Sequence, residues 1–558
     1  KKTDPNPQLD IFTAPSMQLG SRASKKYSDP NAWHNQFYSL VTTKINEEIF
    51  KPLFPEGKKC GRPNASIRIL VAMSALKEGF GCSDEDLFEK CEFDLLTRKA
   101  LGMELLTDVT PSIDTYYLFR RRICEYQERT GIDLMQLCFE QLAGNQVRLL
   151  KISGKCVRMD SKLIGSNIAR QSRYELIHTT LVKFLKTCTL SDLSPEQEER
   201  AKEYLKEDSS KTVYRSDSDT LQSNLARIGN FIMEMLATFP ATSPAHDLLQ
   251  RLFDEQYAVK DGKAVLRDKK EVKADSLQNP NDPDATYRAK NDQKVQGYVT
   301  NITETVEEGK PNIITSVQVE TAVFADCHFL QEAVENSERV TDSTIEDLYA
   351  DGAYQSPDNR EFAKNHNAMQ LKTGKMQGGC RWELIPHDED GLTIREIATG
   401  NTYEAVKAVT KQGSRKRWRI PWNNKTGWRY FEDKDIKAYQ LRKQIESLPL
   451  EEQHKRNNVE AAMFQYCFHT RNGKTRYRGL LKHRMHAYSR CMWMNLRRMV
   501  IFQISTFQRS IFALFGPIRE AFGSFKAISR KIFTSGADCY VSLRMTTLVR
   551  LDSKYAPF

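Results

Sequence analysis

The sequence predicts a mixed α/β fold with a helical region in front of it, and three patterns support this prediction. Residues 66–80 place apolar side chains at helical spacing, and residues 155–165 alternate in the manner of a strand. Residues 295–305 and 313–320 form a hairpin pattern across a Glu-Gly-Lys-Pro turn. With 558 residues, the chain is long enough for several domains or for one domain with large insertions.

Residues 35–150 have a helical pattern throughout. The run Ser83-Asp84-Glu85-Asp86 has the spacing of a capping box, and Pro111-Ser112 is a second helix start. The helix that follows carries Arg120, Arg121 and Arg122 on its polar face. Such a cluster on short helices is typical of a DNA-binding module, and a solvated basic face is an equally good interpretation.

Residues 155–165 predict a strand with one acidic residue in its middle. Val157 and Met159 point to one face, whereas Arg158, Asp160 and Lys162 point to the other. Asp160 precedes the polar segment Gly-Ser-Asn, so its carboxylate could lie at the rim of a sheet and hold a hard cation. The alternative is a surface strand with a solvated aspartate. Further along, residues 282–288 predict a turn.

The composition favours a polyanionic partner. The formal net charge is +11 and 40% of the residues are hydrophobic, so the chain is basic and able to form sizeable cores. Twelve cysteines occur without a C-x-x-C pair, which argues against a zinc or disulfide framework and favours the cytoplasm. No run of about 18 apolar residues occurs, so no membrane span is expected.

Two further acids resemble Asp160 in context. Asp351 ends a predicted strand just before Gly352, and Glu460 lies on a predicted helix, four residues after Arg456. Attack on a phosphodiester needs charge relief at the attacking and leaving oxygens, which two Mg²⁺ or Mn²⁺ ions can supply. Such ions prefer the oxygen ligands that Asp and Glu provide. Three acids among many prove little by themselves.

The motifs around these acids resemble those of a known family. Met159-Asp160-Ser161-Lys162, Tyr349-Ala350-Asp351-Gly352-Ala353-Tyr354 and Arg456-Asn457-Asn458-Val459-Glu460-Ala461 look like the three catalytic blocks of insertion-sequence DDE transposases. The chain is most similar to the insertion sequence four type, in particular the eleven-eighty-two group. Further similar stretches, which extend the likeness from about residue 35 to 498, are Gly61-Arg62-Pro63-Asn64, Phe119-Arg120-Arg121-Arg122-Ile123, Asp282-Pro283-Asp284-Ala285 and Arg478-Gly479-Leu480.

The resemblance implies a ribonuclease-H-like fold, with a five-stranded mixed sheet between helices. It implies that Asp160, Asp351 and Glu460 bind two Mg²⁺ or Mn²⁺ ions, and that Arg456 is the Arg of a Tyr-Arg-Glu-Lys signature. The chain departs from that signature, because Gln453 stands where Tyr is expected and Cys467 where Lys is expected. His469, Arg471 or Lys474 could bind the terminal phosphate in place of the missing Tyr and Lys.

The resemblance also orders the chain into regions. We expect a flexible lead over residues 1–34, a helical DNA-binding domain over 35–150, a ribonuclease-H-like catalytic domain over 151–498 and a basic tail over 499–558. A helical insertion at about 170–280 and a β-rich insertion at 374–431 interrupt the catalytic domain. The implied partner is double-stranded DNA with terminal inverted repeats, bound by a homodimer on paired ends in the cytoplasm of a prokaryote, near the nucleoid.

Two other groups of residues are candidates for DNA contacts. Arg471, Lys474, Arg476 and Arg478 could follow a DNA backbone through phosphate contacts, and a solvated basic loop is the alternative. The three tryptophans of the β-rich insertion could stack on an unpaired base, or form the core of that insertion; they are Trp418, Trp422 and Trp428.

The resemblance therefore implies a transposase that cleaves transposon ends and transfers the strands into target DNA. Two alternatives stay open. One is a metal-dependent nuclease of the same fold that cleaves without joining, and the other is a domesticated relative that binds DNA without cutting it.

Overall fold

The computed structural model describes residues 14–54, 65–241, 243–290, 293–373, 380–387, 391–408, 416–422, 427–447, 449, 452, 455 and 459–521. Side chains are described for these ranges except that of residue 422 and those beyond residue 506.

Helices and strands are numbered here in chain order. The α-helices are α1 (Pro15–Gln18), α2 (Ser21–Tyr27), α3 (Trp33–Leu40), α4 (Ile67–Phe80), α5 (Asp84–Phe93), α6 (Leu95–Leu101), α7 (Ile113–Thr130), α8 (Leu134–Leu150), α9 (Arg173–Leu185), α10 (Pro195–Lys206), α11 (Ser209–Arg215), α12 (Ser218–Thr238), α13 (Pro244–Gln256), α14 (Leu330–Thr341), α15 (Pro357–Asn365), α16 (Asp433–Glu446), α17 (Val459–Cys467) and α18 (Leu480–Ala521). The strands are β1 (Cys156–Gly165), β2 (Tyr257–Lys260), β3 (Lys263–Leu266), β4 (Thr286–Lys290), β5 (Gln293–Thr305), β6 (Ile314–Thr321), β7 (Asp347–Ala350), β8 (Gln370–Thr373), β9 (Trp382–His387), β10 (Gly391–Glu396), β11 (Thr402–Lys407), β12 (Arg417–Trp422) and β13 (Gly427–Glu432). Short 3-10 helices cover Thr42–Lys44, Glu47–Leu53, Leu190–Asp192, Asp326–Phe329 and Gly352–Tyr354.

The N-terminal region is helical, and it begins earlier than the sequence predicts. Within the expected flexible lead, α1 and α2 are formed, and Tyr27, Trp33 and His34 are buried. Trp33 belongs to the main core, so its burial stabilises these N-terminal helices. The capping box at Ser83 is confirmed: its hydroxyl accepts from the backbone N–H of Asp86 at 3.0 Å, and the Asp86 carboxylate accepts from the N–H of Ser83 at 3.0 Å.

A six-stranded mixed sheet forms the centre of the α/β region. Its order is β4-β5-β1-β7-β8, with β6 paired to β5 beyond the segment that β4 covers. Strands β1, β5 and β6 pair in antiparallel fashion, whereas β1, β7 and β8 run parallel. The extra strand relative to the expected five is β4. It begins directly after a turn at Asp282–Ala285, so the predicted turn ends three residues early.

Helices cover both faces of this sheet. Val157 and Met159 of β1 pack on one face in a cluster with α14, as the strand alternation predicts. On the other face, α17 and α18 pack over β1, β5 and β6. The backbone of α4 approaches α18 closely, because a Cβ at Gly79 would overlap the indole ring of Trp493. The N-terminal helices and the C-terminal helix therefore share one core.

The helical insertion has a core of its own. Helices α9 to α13 and the hairpin β2–β3 enclose a separate apolar cluster that includes Phe184, Ile228, Phe231 and Leu252. Hydrophobic residues spaced along α12 and α13 turn their apolar faces toward each other, which is why this segment folds around itself.

The second insertion is an antiparallel meander of β9 to β13 with α16 against it. Trp382, Leu384, Ile394, Trp418 and Phe431 alternate inward along its strands and form its core. Both edge strands contact α16, so the sheet is curled.

The C-terminal helix extends beyond residue 498, where the sequence analysis places the end of the catalytic domain. Helix α18 continues to Ala521, past the expected start of a tail at residue 499. The ten cysteines that the structure describes form no disulfide with one another. Within the described ranges, no helix combines the length and apolar character required to cross a membrane.

Candidate acid cluster on the central sheet

The register of β1 and β7 places Asp160 beside Asp351. The two strands are parallel, with Val157 opposite Leu348 and Arg158 opposite Tyr349. Two residues further along each strand stand Asp160 and Asp351, and the backbone at Asp351 is still extended. Neighbouring strands lie about 4.8 Å apart, and paired residues point to the same face. The carboxylates of Asp160 and Asp351 therefore stand on one face where β7 ends.

Main-chain groups orient both carboxylates. The backbone N–H of Ser161 donates to Oδ1 of Asp160 at 2.8 Å. The backbone N–H of Gly352 donates to Oδ1 of Asp351 at 2.7 Å, where Asp351 caps the short 3-10 helix that follows. In both cases the donor is the residue that follows the acid. The local backbone therefore orients both carboxylates.

Glu460 lies on α17, a helix that packs over β1 and β5. It lies in the first turn of α17, and its side chain is exposed. Val459, Met463 and Tyr466 of this helix are buried. The hydroxyl groups of Tyr466 and Thr300 of β5 are 3.4 Å apart, so the helix lies over β1 and β5.

Burial and the charges of both other acids act on the Asp160 carboxyl group. Burial raises the pKa of Asp160 to about 6, and the charges of Asp351 and Glu460 act in the same direction. The Ser161 hydrogen bond and the charge of Lys290 oppose this rise in the pKa. A carboxylate with this pKa gains from a nearby cation, which would stabilise its charged form.

The three carboxylates do not form a closed cage. Among the described residues, no group of three His, Cys, Asp or Glu side chains is close enough together to hold a metal ion. The donors that the sheet and α17 bring to this face are all oxygens, which suit Mg²⁺ or Mn²⁺ better than zinc.

Residues of β1, β7 and β8 bind the segment that precedes α17. Arg158 donates to the carbonyl of Lys455 at 2.9 Å, and Tyr349 and Lys372 both bind the carboxylate of Glu452. Arg158 also forms a buried ion pair with Glu304 of β5. Arg456 and Gln453, two positions of the resembled signature, lie outside the described residues.

A buried polar chain supports the turn after Asp351, and the sequence analysis missed it. The Tyr354 hydroxyl donates to Oδ1 of Asn301 at 2.6 Å, and Nδ2 of Asn301 donates to Oε1 of Gln318 at 2.8 Å. Tyr354 closes the Asp-Gly-Ala-Tyr motif, but its partners lie on β5 and β6. The motif predicts a turn. Its hydrogen-bond partners Asn301 and Gln318 come from distant strands, so the sequence of the motif does not reveal them.

The two arginines predicted on α7 have different surroundings. Arg120 is largely enclosed, with its guanidinium carbon 5.3 Å from the ring centre of Tyr477 and 5.4 Å from that of Tyr116. Arg121 is 68% exposed and stands 3.6 Å from Glu125. Arg121 is therefore accessible to DNA in this structure, whereas Arg120 is committed to internal contacts.

The predicted basic loop joins the end of β1. Asn472 and Gly473 have positive φ and form a tight turn between Arg471 and Lys474. Lys474 donates to the carbonyl of Ile168 at 2.7 Å and Arg478 to that of Asn167 at 2.7 Å. The side chain of Arg476 donates to the carbonyl of Gly81. Three of the four predicted DNA-binding side chains thus donate to this protein's own backbone. Arg471, Arg476 and Arg478 are exposed, and Lys474 is half-buried.

The tryptophans of the β-rich insertion divide between core and surface. Trp418 is buried in the core of the curled sheet, as the second interpretation of the sequence holds. Trp428 is half exposed, with the guanidinium of Arg419 stacked 4.2 Å from its ring centre. Trp422 lies in β12, and its side chain is outside the described residues.

Comparison with known proteins gives one match, which lies in the N-terminal region. Residues 26–122 match a family model described as Transposase domain (DUF772). No curated protein and no solved structure matches the chain. The match covers α3 to α6 and most of α7, and it supports a transposase family for the chain.

Proposed function

We propose that this chain is a DNA transposase of the DDE type, with Asp160, Asp351 and Glu460 as its catalytic acids. The observation that supports this most directly is the shared face of the three carboxylates, since both other acids raise the pKa of Asp160. The match of residues 26–122 to a transposase domain supports it independently, because the matched range contains none of the three acids.

The topology of the sheet supports a ribonuclease-H-like catalytic domain. The resemblance of the three motifs favours the insertion sequence four type. The five strands β1, β5, β6, β7 and β8 appear in that chain order and are arranged 3-2-1-4-5, with the second antiparallel to the first. In this arrangement the first and fourth strands are adjacent at the centre, so that acids on both meet. The two insertions lie between the first and second of these strands, and after the fifth.

The roles of the residues follow from their positions. The three acids stand too far apart in this structure to hold one ion together, so Asp160, Asp351 and Glu460 would have to draw closer to hold two Mg²⁺ or Mn²⁺ ions. Such ions would supply charge relief at the attacking and leaving oxygens of a phosphodiester. The N–H groups of Ser161 and Gly352 keep two of the carboxylates oriented. Water attacks at the transposon end and releases a 3′-hydroxyl, which then attacks target DNA.

The proposed partner is double-stranded DNA with terminal inverted repeats, bound by a pair of protomers in the cytoplasm of a prokaryote. Arg121 and Arg471 are exposed cations available for phosphate contacts. Arg456 is proposed as a further contact from its place in the signature. Phosphate contacts position DNA without reading its sequence, so these residues set affinity rather than the choice of ends.

The experiment uses labelled DNA from the two borders of the coding element, supercoiled target DNA, and Mg²⁺ or Mn²⁺. We expect strand cleavage at the ends and joined products in the target. Cleavage without joining would indicate a nuclease, and bound but uncut DNA would indicate a binding protein.

Two variants make the test specific. Asp351→Ala should abolish cleavage while leaving DNA binding intact, whereas Asp358→Ala, an exposed aspartate at the start of α15, should leave both intact. Equal cleavage by wild type and Asp351→Ala would overturn the proposed site.

A further inference from the structure

A buried ion pair contacts the segment that leads to the third candidate acid. Arg158 of β1 and Glu304 of β5 are opposite each other in the strand register, and both are almost fully buried. Nε and Nη2 of Arg158 lie 2.6 and 2.5 Å from Oε1 of Glu304. Oε2 of Glu304 lies 2.7 Å from Nη1 of Arg498 in α18. Two guanidinium groups therefore share one buried carboxylate.

The second terminal nitrogen of Arg158 is directed at the main chain of another element. Nη1 donates to the carbonyl of Lys455 at 2.9 Å. Burying a guanidinium group costs stability unless its hydrogen bonds are made, and apolar side chains of similar volume often serve a core as well or better. The stability of the sheet alone therefore does not explain a buried arginine at this position. The bond to Lys455 is a contact that an apolar side chain could not make.

The same segment has a second attachment at Glu452, three residues before Lys455. Tyr349 of β7 donates its hydroxyl to the carboxylate of Glu452, and Nζ of Lys372 in β8 lies 2.9 Å from Oε2 of that carboxylate. The strands β1, β7 and β8 are neighbours in the sheet, so three adjacent strands hold two points of one segment. We call these contacts of Arg158, Tyr349 and Lys372 the strand clamp.

The strand clamp limits where Glu460 can stand. Glu460 follows Lys455 by five residues, which span at most about 18 Å when fully extended. Arg158 precedes Asp160 by two residues, so both side chains leave the same face of β1. The clamp thus sets the position of the third acid relative to the strand that carries the first. Since the acids must draw closer to hold an ion, this position affects how readily a metal ion binds.

We propose that Arg158 is a positioning residue for the third acid: through the carbonyl of Lys455 it holds the start of α17 over β1, where Glu460 can join Asp160 on a metal ion. This inference rests on the proposed function and adds to it a residue that acts through the main chain. Glu304 fixes the guanidinium group of Arg158, and the remaining donor selects the segment before α17. Groups that orient metal ligands from outside the ligand set commonly change metal affinity when they are replaced.

The test measures cleavage of border DNA by the full chain as a function of Mg²⁺ concentration, and again with Mn²⁺. Arg158→Lys is the informative variant, because a lysine keeps the positive charge beside Glu304 but cannot also reach the carbonyl of Lys455. We expect the Mg²⁺ concentration for half-maximal cleavage to rise roughly 10-fold, with the rate at saturating Mn²⁺ within about threefold of wild type. DNA binding should be unchanged.

A second variant probes the other attachment of the segment. Tyr349→Phe removes the hydroxyl that binds Glu452 and should shift the half-maximal Mg²⁺ concentration in the same direction, so the test does not depend on the folding of Arg158→Lys. The matched control is Lys155→Gln. It removes an exposed ion pair with Glu346 beside the same two strands, at 2.7 Å, and this pair does not touch the segment. Lys155→Gln should leave the half-maximal concentration unchanged.

The outcomes separate this inference from the proposed function. A lower rate at every metal concentration, with an unchanged half-maximal concentration, would show that Arg158 has a structural role only. A wild-type metal response of Arg158→Lys or of Tyr349→Phe would also overturn the positioning role. In both cases the proposed function stands as long as Asp351→Ala is inactive. If Asp351→Ala still cleaves, the proposed function itself fails, and the positioning role fails with it.

Discussion

Glu78 of α4 and His486 of α18 form a buried ion pair, with Oε2 and Nδ1 2.7 Å apart. The Tyr477 hydroxyl donates to the other oxygen of Glu78. Burial alone would raise the pKa of Glu78. The charge and hydrogen bond of His486, the charge of Lys77 and the hydrogen bond of Tyr477 together outweigh burial and hold this pKa at about 2. The pair joins the matched transposase region to the last helix, which packs on the central sheet.

Replacing Glu78 with Gln should destabilise the protein. The change leaves His486 and Tyr477 with a weaker acceptor in a buried setting, so we expect the free energy of unfolding to fall by about 2–3 kcal/mol at neutral pH. Urea denaturation of wild type and variant measures this. Glu128→Gln, at an exposed position of α7, should change the free energy by less than about 0.5 kcal/mol.

The same pair gives a pH dependence of known sign. The pKa of Glu78 is lower in the folded state than its ordinary value of 4.5, so its contribution is fully present above about pH 4.5. That contribution is lost as the pH falls toward 2, and the difference between wild type and Glu78→Gln should shrink over this window. A difference that grows on acidification would contradict the assigned ion pair.

Gly79 is a position where the two helices leave no space for a side chain. A Cβ there would overlap the Trp493 ring, so Gly79→Ala should lower the free energy of unfolding by roughly 1–3 kcal/mol or more. Thermal unfolding measures the effect. Gly20→Ala is the matched control, since a Cβ at Gly20 meets no atom within 4 Å. Equal melting temperatures for the two variants would show that α4 and α18 do not pack as described.

Asp160 should make the protein less stable as the pH rises. Its folded-state pKa of about 6 exceeds its ordinary value of 3.8, so between these two values the unfolded chain has lost a proton that the folded chain keeps. Rising pH therefore favours unfolding across this window. Asp160→Asn removes the effect, and the variant should be more stable than wild type at pH 7.5 by up to about 3 kcal/mol.

Chemical denaturation at pH 4 and at pH 7.5 checks this prediction. Asp160→Asn should have a higher free energy of unfolding than wild type at pH 7.5, and the difference should be small at pH 4. Asp247→Asn, at an exposed position of α13, should show no such dependence. An Asp160→Asn variant that is less stable than wild type at pH 7.5 would show that the carboxylate is stabilised in its charged form without a metal ion.

Local patterns predict the strand elements of the site well. The alternation of Val157, Arg158, Met159 and Asp160 assigns both faces of β1 correctly, because side chains on a strand alternate with a period of two. The glycine after Asp351 likewise signals the end of β7. These features depend on residues within a few positions of one another, so they are visible in the sequence.

Partners that are distant along the chain could not be predicted in this way. Arg158 pairs with Glu304, which is 146 residues away, and nothing in either segment identifies the other. Lys474, Arg476 and Arg478 have the pattern of a DNA-binding loop, yet each binds a carbonyl of a segment that folding brings beside them. The helices before residue 34 depend on the burial of Trp33 in a core formed by later residues.

Parallel measurement of metal-dependent cleavage for Asp160→Ala, Asp351→Ala and Glu460→Ala tests the central claim most directly. Border DNA, Mg²⁺ and wild-type protein provide the reference, and DNA binding is measured for each variant. If the three acids act as one site, each change should reduce cleavage at least about 100-fold while affinity for DNA stays within about threefold. Wild-type cleavage by any one variant would contradict a shared site on β1, β7 and α17.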